Sequence, residues 1–149
     1  MQMAIDLSVE NVQQGGGPFG AVIVKDGKVV ATGVNRVTIN NDPTAHAEVS
    51  AIRAACQQIG DFRLTGCTCY TSCEPCPMCL SALYWAGVER IWYGNTKQDA
   101  DHIGFGDDFI YKEIAKPYEE RSIPIHHMMR AEALKAFKAW EEKPDKVEY

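Results

Sequence analysis

The sequence predicts an α/β fold, with helices on both faces of a sheet, and three observations predict it. Short β-prone apolar runs recur along the chain as GAVIVK, VVATG, CTCYT and RIWYG. They alternate with longer segments whose apolar residues fall at helical spacing, the pattern of layered α/β domains rather than of an all-β or all-helical chain. The 149 residues are enough for one domain with a proper core, and no repeat, low-complexity tract or linker divides them, so residues 1–149 are expected to form a single domain.

Each element has its own signal. Residues 3–13 carry Ile5, Val9 and Val12 at helical spacing and end at Gly15-Gly16-Gly17, which breaks a helix. Residues 20–25 and 29–33 read as two strands joined through Asp26-Gly27, a short hairpin signal. Residues 34–43 are polar and turn-forming. Asp42-Pro43-Thr44 then opens a helix, proline being suited to a first turn, and Ala45, Val49, Ile52, Cys56 and Ile59 continue it as one apolar stripe. Residues 67–71 form a short strand. Pro75 begins another helix that runs to about Ala86, where Gly87 stops it. Residues 90–94 give a strand, 95–108 a loop, 109–115 a short helix and 123–128 a last strand. The final helix is expected over 130–142, with Ala133, Phe137 and Trp140 inward.

Composition removes several classes of function. The hydrophobic share of 46% and charged share of 23% are those of a globular protein and exclude a disordered or fibrous chain. Lys and Arg total 15 against 20 Asp and Glu, a formal charge of -5. Grip on a phosphate backbone is carried by clustered Lys and Arg, so a nucleic-acid partner is not expected. No apolar run approaches the roughly 18–20 residues of a membrane helix, and the start carries no basic leader followed by an apolar stretch. The expected partner is a small molecule and the expected setting the cytoplasm. Five of the six cysteines lie within residues 67–79. Such crowding is poor for a disulfide framework and good for metal or redox chemistry.

Two segments carry that chemistry, Thr44-Ala45-His46-Ala47-Glu48 and Ser72-Cys73-Glu74-Pro75-Cys76-Pro77-Met78-Cys79. Zinc favours imidazole nitrogen and thiolate sulfur, and a catalytic site uses three protein ligands with the fourth position open. Cys76 and Cys79, three residues apart in the first turn of a helix, present both sulfurs on one side. The helix N-terminus favours their thiolate form. His46 completes the set as neutral imidazole. Glu48 is placed to serve as acid and base beside the metal rather than on it. The pattern H-x-E followed by P-C-x-x-C is the known signature of zinc nucleobase deaminases, with Cys76 standing 28 positions after Glu48 here. Other readings use the same residues. Cys73 as a fourth ligand would make a closed structural zinc site, although Cys73 precedes the helix turn and Glu48 would then have no task. A thioredoxin-like redox pair would use C-x-x-C but needs no H-x-E.

With TAHAE and SCEPCPMC the chain resembles the cytidine deaminase superfamily. Through GGPFGAVIVKDG, NDPTAHAEVSAIRAAC, YTSCEPCPMCLSALYWA, GFGDDFIYKEI and the terminal Tyr149 it is similar, within that superfamily, to the bacterial zinc-dependent guanine deaminases. The resemblance runs from about Gly16 to the end. It departs in a shorter first helix and in GFGDDF where relatives tend to read GFDDSF. It implies a three-layer α/β/α sandwich on a central mixed sheet, zinc held by His46, Cys76 and Cys79, and Glu48 as the proton shuttle. It also implies a purine pocket containing Phe19, Asn35, Ala47, Trp85 and Asp107, capped by Tyr149. The implied reaction is hydrolysis of guanine to xanthine and ammonia in purine catabolism or salvage. The implied assembly is a homodimer exchanging a C-terminal segment of about residues 117–149. The zinc core is common to deaminases of cytosine, cytidine, guanine, pterin-like rings and adenosine in tRNA, so it fixes reaction type and not substrate. The charge of -5 and the mixed tail EEKPDKVEY favour a free base or a nucleoside such as guanosine over tRNA.

Overall fold

The structure, a computed structural model, describes residues 1–148. They fall in two compact units, one of residues Met1–Ile110 and the other starting at Tyr111.

The first unit is built on four strands, β1 (Gly20–Lys25), β2 (Lys28–Val34), β3 (Cys67–Cys73) and β4 (Arg90–Asn95), in the order β2-β1-β3-β4. β1 pairs antiparallel with β2 and with β3, while β3 and β4 run parallel, so the sheet is mixed as the resemblance implied. Helix α1 (Gln2–Gln13) packs on one side and α3 (Ala47–Ile59) on the other, with α4 (Pro77–Ala86) against α3. Two missing side chains set these approaches. A Cβ on Gly20 would lie 2.5 Å from the Ala4 carbonyl oxygen of α1. A Cβ on Gly33, which pairs with Ala21 on the opposite face, would lie 2.2 Å from the Ala47 carbonyl oxygen of α3. Backbone reaches backbone on both faces because glycine leaves the room.

The same closeness decides which helix faces are buried. In α1 the buried residues are Ala4, Ser8 and Asn11, whereas Ile5, Val9 and Val12 stay exposed. In α3 they are Ala47, Glu48, Ala51 and Ala55, with Ile52, Cys56 and Ile59 only partly covered beside them. The core lies between the sheet and the α3–α4 pair, where Ala21, Ile23, Cys67 and Cys69 meet Leu64, Leu83 and Ala86.

Several boundaries differ from expectation. Asp42 does not open the helix. Its carboxylate accepts from the Thr44 amide and hydroxyl at 2.8 and 2.7 Å, closing a local turn, and α3 begins only at Ala47. α4 begins at Pro77 rather than Pro75. Two short helices occupy predicted loops, α2 (Val37–Asn40) and α5 (Lys97–His102), the second fixed by a capping box between Thr96 and Asp99.

Helix α6 (Asp108–Ala115) leads into the second unit, which continues through a 3-10 turn (Tyr118–Glu120) to α7 (Arg130–Glu142). Glu113 accepts from the Ser122 amide and hydroxyl, and Arg121 donates to the Lys116 and Ile114 carbonyls. The strand expected over 123–128 does not form among the described residues, and Ile123 and Met128 are each 76% exposed. A strand needs a ladder partner, and this unit supplies none. α7 forms as predicted, but Phe137 is 70% exposed and no residue of the helix is buried, so the expected inward face covers nothing within the unit.

Candidate active site

The two motif segments meet because each ends a connection at a helix N-terminus. His46 is the N-cap of α3 and Cys76 the N-cap of α4, both in extended backbone conformation, and Cys79 sits in the first turn of α4. The Sγ atoms of Cys76 and Cys79 lie 3.6 and 3.5 Å from Nδ1 of His46. His46, Cys76 and Cys79 form the group of potential metal ligands among the described residues, their donor atoms all within 4.8 Å of one another. These spacings test the fit to zinc. Nitrogen at about 2.05 Å and sulfur at about 2.3 Å from one tetrahedral centre lie about 3.6 Å apart, which is the separation observed. Donor type and spacing both fit.

The electrostatics favour a cation there. The Cys79 side chain and then His46 hold the Cys76 thiol down to about 4 despite its burial. Cys79 is pushed up, first because it donates to Cys76 and then by burial, and His46 is raised by its bond to Cys76. The three groups thus share protons at a place where a cation satisfies both sulfurs at once. Two helix N-termini add positive potential on the thiolates.

Glu48, in the first turn of α3, is 6% exposed, and burial raises its pKa. Its Oε1 accepts a 2.9 Å bond from the Thr71 hydroxyl. His46, Glu48 and Cys76 open onto a cavity of about 560 Å³, within the usual small-molecule range of ~300–1,000 Å³. The far wall is the Gly15–Phe19 loop, and Phe19 meets Phe105 edge to face with centroids 4.9 Å apart. Asn35 and Asp107 close the sides. Oδ1 of Asp107 is buried without a hydrogen-bond partner, and Asp107 is raised by burial and then by the charge of Cys76. Asp108 turns away to Lys97 at 3.9 Å.

Most of the residues singled out in the sequence therefore converge. Ala47 is buried between His46 and Glu48 but does not line the cavity. Trp85 is not brought to it. Leu83 and Ala86 turn inward from α4, which places Trp85 on the outer face, 70% exposed. Cys73 stands apart from the donor group, near the Thr96 carbonyl at 3.6 Å, which disfavours the closed four-ligand site. Tyr149 lies outside the described residues. Sequence reasoning missed Phe105, Glu74 and Thr71. The row Cys67, Cys69, Thr71 at alternate positions was the available signal for Thr71, since it puts a hydroxyl on the face packed against α3. Glu74 lines the cavity while accepting from the Lys97 amide at 3.1 Å.

Residues 1–95 match the family model of the cytidine and deoxycytidylate deaminase zinc-binding region. The chain belongs to this deaminase family. Its cofactor is zinc. Along its whole length this deaminase is 54% identical to the guanine deaminase of Bacillus subtilis (strain 168), covering 96% of it. The X-ray structure of Bacillus subtilis guanine deaminase superposes with a TM-score of 0.96 over 99% of this chain and 95% of that one. A guanine deaminase structure from Nitrosomonas europaea is 31% identical, with a TM-score of 0.69 over 71% of this chain and 62% of the other. The tRNA-specific adenosine deaminase of Buchnera aphidicola subsp. Schizaphis graminum is 33% identical over 91% of this chain and 87% of its own length. No helix among the described residues is long and apolar enough to cross a membrane.

Proposed function

We propose that this deaminase hydrolyses guanine to xanthine and ammonia. The observation that carries the reading is the convergence of the His46, Cys76 and Cys79 donor group, His46 and Cys76 being on the cavity wall, with Glu48 and the buried Oδ1 of Asp107, which has no hydrogen-bond partner. The full-length likeness to the Bacillus subtilis guanine deaminase supports guanine among the substrates open to such a site.

His46, Cys76 and Cys79 would hold the zinc. When bound, zinc supplies Lewis acidity that lowers the pKa of water from about 15.7 toward about 7. Glu48 takes one proton from the attacking water and delivers it to N3 of guanine as the oxygen adds to C2. It then takes the second proton and passes it to the exocyclic amine, which leaves as ammonia while C2 becomes the carbonyl of xanthine. The water oxygen and both its protons are accounted for, and one carboxyl acts first as base and then as acid. Asp107 is an acceptor suited to a ring N–H, and Phe19 with Phe105 gives the base an aromatic wall.

The same reading makes the protein a homodimer in which about residues 117–149 are exchanged and Tyr149 caps the site. The uncovered apolar side chains Ile123, Met128, Phe137 and Trp140 support it. Six free cysteines support a reducing, cytoplasmic setting. The test is ammonia release by zinc-loaded protein from guanine, guanosine, cytosine, adenine and aminotriazines in parallel, with a tRNA anticodon stem alongside. Guanine is expected to be turned over best, and deamination of the tRNA stem without guanine turnover would reassign the enzyme. Solution mass decides the dimer.

A further inference from the structure

We propose that Thr71 is the positioning residue of the proton shuttle, its hydroxyl occupying Oε1 of Glu48 so that the other carboxyl oxygen carries the proton in transit. The inference rests on the reading of Glu48 as the acid and base of the proposed deaminase.

Thr71 lies within β3, paired with Ala21 on one side and Tyr93 on the other, and is fully buried. Its neighbours along the same face of β3, Cys67 and Cys69, are small apolar fillers of the core beneath α3 and α4. A hydroxyl at the next inward position must find a partner or cost stability. That partner is Glu48, at 2.9 Å. Thr71 does not line the cavity, so it acts on substrate only through Glu48.

The chemistry of the pair suits a shuttle. A glutamate side chain has three rotatable bonds, and fixing them costs rotamer freedom. Proton transfer to two different atoms needs the carboxyl held within hydrogen-bond reach of both. A cation in place of Thr71 would also hold the carboxylate, but it would favour the ionised form and resist the uptake of a proton. A hydroxyl is neutral. It donates to Oε1 when Glu48 is ionised and still donates there when the proton sits on the other oxygen. The bond therefore persists through both halves of the reaction and confines the mobile proton to one oxygen.

The variants are Thr71→Val, which keeps shape and removes the donor, and Thr71→Ser, which keeps the donor. At unchanged zinc content, kcat of Thr71→Val on guanine is expected to fall on the order of 10- to 100-fold, the scale on which misplacing a catalytic group acts. KM is expected to stay within about 3-fold, and Thr71→Ser to recover most of kcat. A zinc-loaded Thr71→Val with kcat within about twofold of the parent, or a Thr71→Ser as slow as Thr71→Val, overturns the proposal. If Thr71→Val does not fold, Thr71→Cys, a weak donor matching its neighbours in the row, takes its place with the same expectation. Crystal structures of the parent and the variant supply a readout free of activity. The Glu48 carboxyl should leave its parent position in Thr71→Val and keep it in Thr71→Ser, and an unmoved Glu48 in Thr71→Val refutes the role of Thr71. Should the parent release no ammonia from guanine, the substrate reading fails, while the position of Glu48 still decides for or against Thr71.

Discussion

The side-chain amide of Asn11, in α1, donates to the backbone carbonyl of Asn35 at 2.7 Å and to that of Gly17 at 2.8 Å. One buried amide thus ties together two walls of the cavity, the glycine loop and the segment after β2, from a helix that otherwise stands behind them. Oδ1 of Asn11 is buried without a partner, so this tie is held at a cost. Asn11→Ala leaves the Asn35 carbonyl without this donor, while the Gly17 carbonyl keeps the Phe19 amide at 2.8 Å. The expected result is a loss of about 1–3 kcal/mol in urea unfolding together with a raised KM for guanine. A variant as stable as the parent with unchanged KM would show that the tie carries neither stability nor the shape of the cavity.

Glu48 is the side chain on which the proposed chemistry turns, and the glutamine variant isolates it. Glu48→Gln keeps the Thr71 partner and the shape of the site, and it should keep zinc. Turnover should drop by at least the ~10²–10⁴ typical of general acid–base catalysis. Near-normal kcat in a variant carrying full zinc removes Glu48 from the mechanism.

Zinc removal is expected to abolish turnover and to lower the melting temperature, since a ligand bound only by the native state stabilises it. Returning zinc should restore both. Cys76→Ala takes one donor from the His46, Cys76 and Cys79 group, so metal analysis should find well below one zinc per chain. Stoichiometric zinc in that variant contradicts the ligand assignment.

How far the fold and the site could be read in advance follows from the kind of signal each leaves. The candidate donor group and Glu48 were legible because donor chemistry requires particular residue types at fixed spacing. The strands were legible because β1, β3 and β4 each present a run of apolar or β-prone side chains. The buried faces of α1 and α3 were not. Periodicity finds the large apolar stripe Ile5, Val9, Val12, whereas the sheet takes Ala4, Ser8 and Asn11, the small face that Gly20 admits. The place of Trp85 has a related origin: a motif match fixes its position in the chain, and the helix phase set by Leu83 and Ala86 turns it outward. Residues 123–128 carry apolar Ile123, Ile125 and Met128, but a strand also needs an edge to pair with, and no local pattern supplies one.

Gly33 gives the sharpest test of the close approach. A Cβ there would meet the Ala47 carbonyl oxygen at 2.2 Å and the Ala51 amide nitrogen at 2.4 Å, both backbone atoms that cannot swing aside. Gly33→Ala must push α3 off the sheet. Overpacking of this kind costs about 1–3 kcal/mol or more. Because α3 carries Glu48 and is capped by His46, activity should fall with stability, by at least about 10-fold. Calorimetry beside steady-state kinetics checks both, and a fully active, equally stable variant would mean that α3 does not sit where Gly33 places it.

Glu113 gives the second unit its own pH signature. The Lys116 ammonium, and then the amide and hydroxyl of Ser122, hold its pKa at about 2, against an ordinary value of about 4.3. A depressed carboxyl contributes stability that is fully present above its ordinary pKa and is lost as the pH falls through the folded value. The link between α6 and Ser122 should therefore hold at neutral pH and loosen between about pH 4.3 and pH 2. An NMR titration of the Glu113 side-chain carbon should report a midpoint well below that of ordinary glutamates. Glu113→Gln should remove the pH-dependent change in the Ser122 amide resonance over that window, and Lys116→Ala should raise the Glu113 midpoint. A Glu113 that titrates at the ordinary value would mean that Lys116 and Ser122 do not hold it in solution.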